Sequence, residues 1–198
     1  MKTIILDMYG VIMKAPEGDL IPYIREKNPA LNDEIINSAW KEAAFGRKTS
    51  REFFMSLGFL EDIDDMEKEY LDTVEIDEGF SAIVNELKQT YQLVLLSNDI
   101  SEWSLFLRNK YRLNEYFDLV VVSGDHGILK PDAAIFNMIL DRMNLRASDC
   151  LYVDDREKNL KAAKQLGMSA VLFNRRKIDY RGITVNNFKE LKSYIDKL

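Results

Sequence analysis

Three aspartates and one Ser-Asn pair stand at the ends of apolar runs, and one lysine in a loop after another, where side chains of these types can do chemistry. Asp7 follows Ile4-Ile5-Leu6, with Gly10 three residues later; Ser97-Asn98 follows Leu93–Leu96; Asp154-Asp155 follows Leu151-Tyr152-Val153. Lys130 lies in a loop, Gly127–Asp132, after the run Leu119–Val122, and the ring of Pro131 restricts the backbone beside it. Singly, each signal has an ordinary reading: an Asp closing a strand into a Gly turn, or a Lys-Pro or Asp-Asp pair on a surface. Together they form a specific set. Asp7, Asp154 and Asp155 would repel one another in one site unless a cation were present. A hard, oxygen-preferring Mg²⁺ resolves that repulsion and keeps positions for water and a substrate phosphate. Lys130 adds a second positive charge and the Ser97 hydroxyl adds a donor. Such a set neutralises a transferring phosphoryl group and offers it a carboxylate nucleophile.

The elements that must position these residues can be read from hydrophobic periodicity. The short, β-branched run before Asp7 suits a strand buried on both faces of a parallel sheet, with the carboxylate at its C-terminal end, where open α/β sheets place ligands. From Phe80 the chain alternates: a helix over 81–88, a strand over 93–96, a helix over 100–108, a strand over 119–122 ending in Ser123-Gly124-Asp125, and a helix reaching Met143. A strand over 151–153, a helix closed by Gly167 and a last strand over 170–173 follow, with a short helix in the tail. This alternation predicts a parallel sheet with right-handed crossovers and helices on both faces. Residues 15 to about 80 carry helical periodicity instead. Ile35, Ile36, Ala39, Trp40 and Ala43 form one apolar stripe, Thr49 and Glu52 a capping box, Gly58 a helix stop, and residues 62–71 a third helix. The aromatic residues Trp40, Phe45, Phe53, Phe54 and Phe59 read as the core of this block rather than a pocket. Inserted after the first strand, the block can sit over the C-terminal edge of the sheet as a lid.

Composition narrows the class. The chain has 198 residues, 46% hydrophobic and 30% charged, with a net charge of −6 and no basic run, which argues against nucleic acid or an anionic membrane as partner. No run of about 18 apolar residues predicts a membrane span, and the start shows no signal-peptide pattern. A lone cysteine, Cys150, reads as a small buried filler. A lone histidine, His126, reads as a loop residue near the pocket rim, and without a second His or a nearby Cys it makes no zinc site. The basic stretch after Arg175 suggests no function. These features predict a cytoplasmic enzyme, monomeric or homodimeric, acting on a small molecule.

The motifs Asp7-Met-Tyr-Gly-Val11, Leu96-Ser-Asn98, Leu129-Lys-Pro131 and Val153-Asp-Asp155 with Asn159 resemble those of the haloacid dehalogenase (HAD) superfamily. The resemblance is to the subgroup with a helical cap inserted after the first strand. It covers residues 1–14 and 80–175 and is especially close over 154–168. It implies an α/β fold, with a Rossmann-like core at 1–14 and 80–198 and a cap at 15–79. The activity implied is a Mg²⁺-dependent phosphatase of a small phosphorylated metabolite, as in sugar-phosphate phosphatase-like members. By the resemblance, Asp7 is the nucleophile that forms an aspartyl intermediate, Ser97 and Asn98 hold the phosphoryl oxygens, and Lys130 steadies nucleophile and phosphate. Asp7, Asp154, Asp155 and the Tyr9 backbone carbonyl would hold Mg²⁺, with Gly10 and Asn159 in support.

Tyr9 departs from the family pattern. Family phosphatases generally carry a second Asp there, as general acid and base. Tyrosine, with an unperturbed pKa near ~10, replaces it poorly at neutral pH, and such catalysis is worth roughly 10²–10⁴-fold. One reading is a phosphatase for good leaving groups, such as anomeric sugar phosphates or acyl phosphates. A second is a metal-free 2-haloacid dehalogenase, which shows Asp-x-Tyr-Gly in its first motif, with Arg47 assisting; Arg47 reads more simply as a solvated residue at a helix junction. A third is a non-catalytic phosphate-binding or regulatory homologue. The Asp154-Asp155 pair favours the phosphatase, because dehalogenases carry small polar residues there and two carboxylates would repel a haloacid.

Overall fold

The computed structural model describes residues 2–14 and 20–198. Six strands form one all-parallel sheet in the order β3-β2-β1-β4-β5-β6: β1 Thr3–Leu6, β2 Gln92–Ser97, β3 Leu119–Val122, β4 Cys150–Asp154, β5 Ser169–Phe173 and β6 Thr184–Val185. β1 lies between β2 and β4, with Ile5 opposite both Val94 and Tyr152. Strand side chains alternate between two apolar layers. Ile4, Leu6, Leu93, Leu95, Leu151 and Val153 enter one layer, and Ile5, Val94, Leu96 and Tyr152 enter the other. The helices that cover them are α5 Phe80–Leu87, α6 Ser101–Lys110, α7 Ser123–His126, α8 Ala133–Arg142, α9 Glu157–Gln165 and α10 Phe188–Ile195. The chain runs outward from β1 to β3, then crosses back to β4 on the other side of β1. The strand order therefore reverses between β1 and β4, and at such a point the flanking connections diverge and leave a crevice at the strands' carboxyl ends. Asp7 follows β1 and Asp154 ends β4.

Among the described residues, four helices intervene between β1 and α5: α1 Leu20–Lys27, α2 Asp33–Ala44, α3 Ser50–Ser56 and α4 Ile63–Thr73. Asn32 caps α2 by accepting from the Ile35 N–H, and Thr49 and Glu52 form the capping box of α3. The Lys14 N–H donates to the Glu75 carbonyl and the Asp77 N–H to the Ile12 carbonyl, so the segment leaves and returns at one place. Its aromatic core is completed from outside: Phe53, Phe54 and Tyr70 pack on Trp103 of α6, with ring centroids 5.5, 6.2 and 5.1 Å away.

Several expectations are corrected. The third helix of the block runs Ile63–Thr73, not 62–71, and residues 15–19 of the expected helical block lie outside the described residues. Ser123-Gly124-Asp125 begins α7 instead of trailing from β3, which puts His126 in a short helix rather than a loop. The sheet continues past β5 to the two-residue edge strand β6, too short to leave a periodic signal. On α2, Ile36, Ala39 and Ala43 are buried, but Ile35 is exposed. Phe53 and Phe54 are core, whereas Trp40 and Phe45 are half-buried and line a cleft.

Candidate active site

Beyond β1, residues 8–13 fold into a tight loop closed by Gly10 N–H to Met13 O at 3.0 Å and Met13 N–H to Met8 O at 2.8 Å. Gly10 sits at φ +81°, and a Cβ there would lie 2.5 Å from Asp155 Cγ. Only glycine lets the loop and the end of β4 approach this closely. Arg175 clamps the loop from the other side, donating to the carbonyls of Gly10 (3.0 Å) and Val11 (2.9 Å) and pairing with Asp77 at 2.5 Å.

At the centre lies Lys130, 3% exposed. Its ammonium meets Asp7 Oδ1 at 2.6 Å, the Leu96 carbonyl at 2.9 Å and Asp154 Oδ2 at 3.2 Å, which accounts for all three of its protons. Asn98 holds the Lys130 backbone at both ends, accepting from its N–H (2.8 Å) and donating to its carbonyl (3.0 Å). The Lys130-Pro131 peptide bond is cis. Asp154 also accepts from Asn159 Nδ2 at 3.0 Å, from the Arg156 N–H at 2.7 Å and from the Tyr152 hydroxyl. Asp155 pairs with Arg176 Nε at 2.9 Å. Ser97 Oγ is buried with no protein partner among the described residues.

These contacts set the electrostatics. Burial raises the Asp7 carboxyl well above the ordinary range, and the neighbouring Asp154 charge adds to this more than Lys130 offsets. Burial also works upward on Asp154, but Lys130 and hydrogen bonds from Tyr152 and Asn159 outweigh it and hold that carboxyl low. Asp155 is raised by burial and by Asp154. On Lys130, burial acts downward and is overcome by Asp154 and Asp7, which hold the ammonium charged. Asp7, Asp154 and Asp155 bring carboxylate oxygens within 4.8 Å of one another. Three carboxyl groups meet here beside Lys130 and Arg176, and the donors are all hard oxygens. The set fits Mg²⁺.

Tyr9, two residues beyond Asp7, lines a neighbouring cavity. Its ring is buried, and with Asp99, Asn37, Trp40 and Tyr70 it lines that cavity, of about 20 Å³, between the inserted helices and the sheet. Burial first, then the charge of Asp99, raises the phenol well above its ordinary value. A second opening, a cleft of about 420 Å³, runs over Lys130 and Asn98, between Trp40, Lys41 and Phe45 on one side and Arg156 and Lys158 on the other.

Of the residues named from sequence, the structure brings together Asp7, Gly10, Ser97, Asn98, Lys130, Asp154, Asp155 and Asn159. Arg47 pairs with Glu42 on the surface, and Cys150 is buried with its thiol pushed up to about 11. Sequence reasoning missed Tyr152, Arg175 and Arg176. Tyr152 stands two residues before Asp154 on one strand and so on the same face, a signal that was available. The two arginines carry no local pattern.

Residues 1–167 match the haloacid dehalogenase-like hydrolases, and the chain belongs to that family. It is 33% identical over 106 residues to glyceraldehyde 3-phosphate phosphatase of Methanocaldococcus jannaschii, covering 50% of this chain and 46% of that protein. A HAD family enzyme from Bacteroides thetaiotaomicron, solved as a complex with magnesium and inorganic phosphate, superposes with a TM-score of 0.77 at 19% identity, over 87% of this chain and 93% of that one. A 2-haloacid dehalogenase from Pseudomonas syringae does so with a TM-score of 0.72 at 21% identity, over 100% and 99%. The fold is therefore common to proteins of both names. The chain spans less than half the length of the first curated relatives it matches. Among the described residues, no helix is long and apolar enough to cross a membrane.

Proposed function

We propose that the chain is a Mg²⁺-dependent phosphatase of a small phosphorylated metabolite, working through an aspartyl-phosphate on Asp7. The observation that carries this reading is the buried cluster Asp7, Lys130, Asp154 and Asp155 at the point where the strand order reverses. A haloacid brings its own carboxylate and would be repelled there, whereas a phosphate ester can enter with a divalent cation that offsets its own charge. Mg²⁺, held by Asp7, Asp154, Asp155 and the Tyr9 carbonyl, would supply charge neutralisation for the phosphoryl oxygens.

The chain's own residues supply the rest. The Met8 N–H and Lys130 occupy Asp7 Oδ1 at 2.7 and 2.6 Å, so Oδ2 is the oxygen left to attack phosphorus. A bond forms from Oδ2 to phosphorus as the ester oxygen leaves, and water then displaces phosphate from Asp7. The Ser97 hydroxyl, without a protein partner among the described residues, would donate to a phosphoryl oxygen, while Asn98 fixes the Lys130 backbone and Asn159 with Tyr152 fixes Asp154. Tyr9 keeps its proton at neutral pH, because burial and the charges of Asp99 and Asp7 raise its phenol, so it provides no base. Substrates with good leaving groups follow from that, such as sugar 1-phosphates or acyl phosphates. Residues 15–79 act as the cap over the site, and the enzyme works in the cytoplasm as a monomer or homodimer.

Phosphate release from a panel of phosphorylated metabolites, with and without Mg²⁺ and beside Asp7→Asn, tests the reading. Release that needs both Mg²⁺ and Asp7 supports it. Chloride release from 2-chloropropionate without Mg²⁺ would establish a dehalogenase instead, and Mg²⁺ binding with no turnover of any compound a non-catalytic homologue.

A further inference from the structure

The cleft over Lys130 is lined by further cations from two elements. Lys41, near the end of α2, faces it from one side, and Arg156 and Lys158, at the start of α9, face it from the other. Arg156 is the N-cap residue of α9 and Lys158 lies in its first turn. The helix dipole favours anions at that end, so both cations stand where the backbone disfavours them. They also oppose each other: burial and then Arg156 lower the Lys158 ammonium, with Lys130 and Lys41 adding to the repulsion. Among the described residues, neither Lys41 nor Lys158 makes an ion pair. Asp132, the carboxylate among the residues lining the cleft, is committed to capping α8, accepting from the Ala134 N–H at 2.9 Å. Trp40 gives the cleft an apolar wall. Among the described residues, Lys41 and Lys158 thus bring two cations without an ion pair to one cleft, where an anionic group of a ligand can supply the missing charge.

We propose that the substrate carries a second anionic group, a carboxylate or a second phosphate, seated between Lys41 and Lys158 while its scissile phosphoryl group lies at Asp7. The inference rests on the phosphatase reading and narrows it. Lys41 and Lys158 are then specificity residues, with the carbon chain between the two anions lying against Trp40.

The test uses three matched probes: propyl phosphate, 3-phosphopropionate and propane-1,3-diyl bisphosphate. With Mg²⁺, the wild-type protein is expected to favour the two-anion probes in kcat/KM by roughly tenfold or more, the scale of one charge–charge contact near a protein surface. Lys41→Glu and Lys158→Glu each cut that preference ratio by a similar factor. Lys161→Glu, the same charge change one turn further along α9, keeps the ratio. Added salt compresses it, because exposed charges are screened. If all three probes react equally, or if the ratio survives Lys158→Glu, the inference fails. Its failure is separable from failure of the phosphatase reading. Turnover of propyl phosphate or acetyl phosphate tests the latter alone, and calorimetric binding of the three probes to Asp7→Asn protein needs no turnover. Tighter binding of the two-anion probes, lost in the Asp7→Asn/Lys158→Glu protein, supports the second-anion site, and equal binding of all three overturns it.

Discussion

Lys130 and Lys158 face one cleft under opposite conditions. Lys130 is buried, its three protons are taken by Asp7, Asp154 and a carbonyl, and Asn98 pins its backbone. Lys158 is exposed, makes no ion pair among the described residues, and stands at the end of a helix that disfavours it. The floor is thus an electrostatic network assembled before any ligand arrives, as preorganised catalysis requires. Among the described residues, the wall carries two lysines, Lys41 and Lys158, without an ion pair, as a surface that recognises a charged ligand does. The same division runs through the aromatic residues: Phe53 and Phe54 are sealed in the core, whereas Trp40 and Phe45 stay half-open on the wall.

The largest expected effect breaks the floor. Lys130→Met leaves Asp7 and Asp154 buried without their shared cation, so it should destabilise the fold by about 3–5 kcal/mol in urea unfolding and abolish phosphate release. Mg²⁺ should recover part of the stability and none of the turnover. Gly10→Ala sharpens the point with a single methyl group. It forces a Cβ to 2.5 Å from Asp155 Cγ at φ +81°, and a cost of about 1–3 kcal/mol in denaturant titration is expected, with weaker Mg²⁺ binding by calorimetry.

A pH series separates floor from wall without turnover. Asp7 and Asp155 have folded-state pKa values raised above 3.8, so the native state holds protons that the unfolded chain has released. Their contribution to stability therefore falls as pH rises from about pH 4 through the raised values. Asp154 is lowered and acts in the opposite sense, adding stability above the ordinary range that is lost on acidification. A metal needs the carboxylates deprotonated. Mg²⁺ should thus raise Tm at pH 7.5 by about 2–4 °C per kcal/mol of binding, and by less at pH 4.5. Equal gains at both values would mean that the cation binds elsewhere. The smallest effect falls on the wall: Trp40→Ala should raise KM by roughly tenfold in steady-state kinetics, with kcat little changed, because it removes uniform binding.

Most of the floor was legible in the sequence because Asp7, Ser97-Asn98 and Asp154-Asp155 sit at the ends of apolar runs, and a run buried on both faces leaves its next polar residue at the sheet's edge. Lys130 was legible through Pro131, and Asn159 only through its resemblance to a family motif. Tyr152 was within reach, since strand periodicity puts it on the face of Asp154. The wall was not legible. The stripe on α2 shows which residues can be buried, but not that Trp40 and Lys41 would face the floor or that Ile35 would turn to solvent. Arg175 and Arg176 reach the loop around Gly10 and the Asp155 carboxylate through the turn after β5, a tertiary contact that leaves no spacing to read.

The most direct test of the phosphatase reading is mass spectrometry of the protein, acid-quenched during turnover of acetyl phosphate with Mg²⁺ and digested. A peptide containing Asp7 that gains the mass of one phosphoryl group, and loses it in the Asp7→Asn protein, is the predicted result. Turnover with that peptide unmodified, or turnover that persists in Asp7→Asn, would contradict the aspartyl-phosphate mechanism.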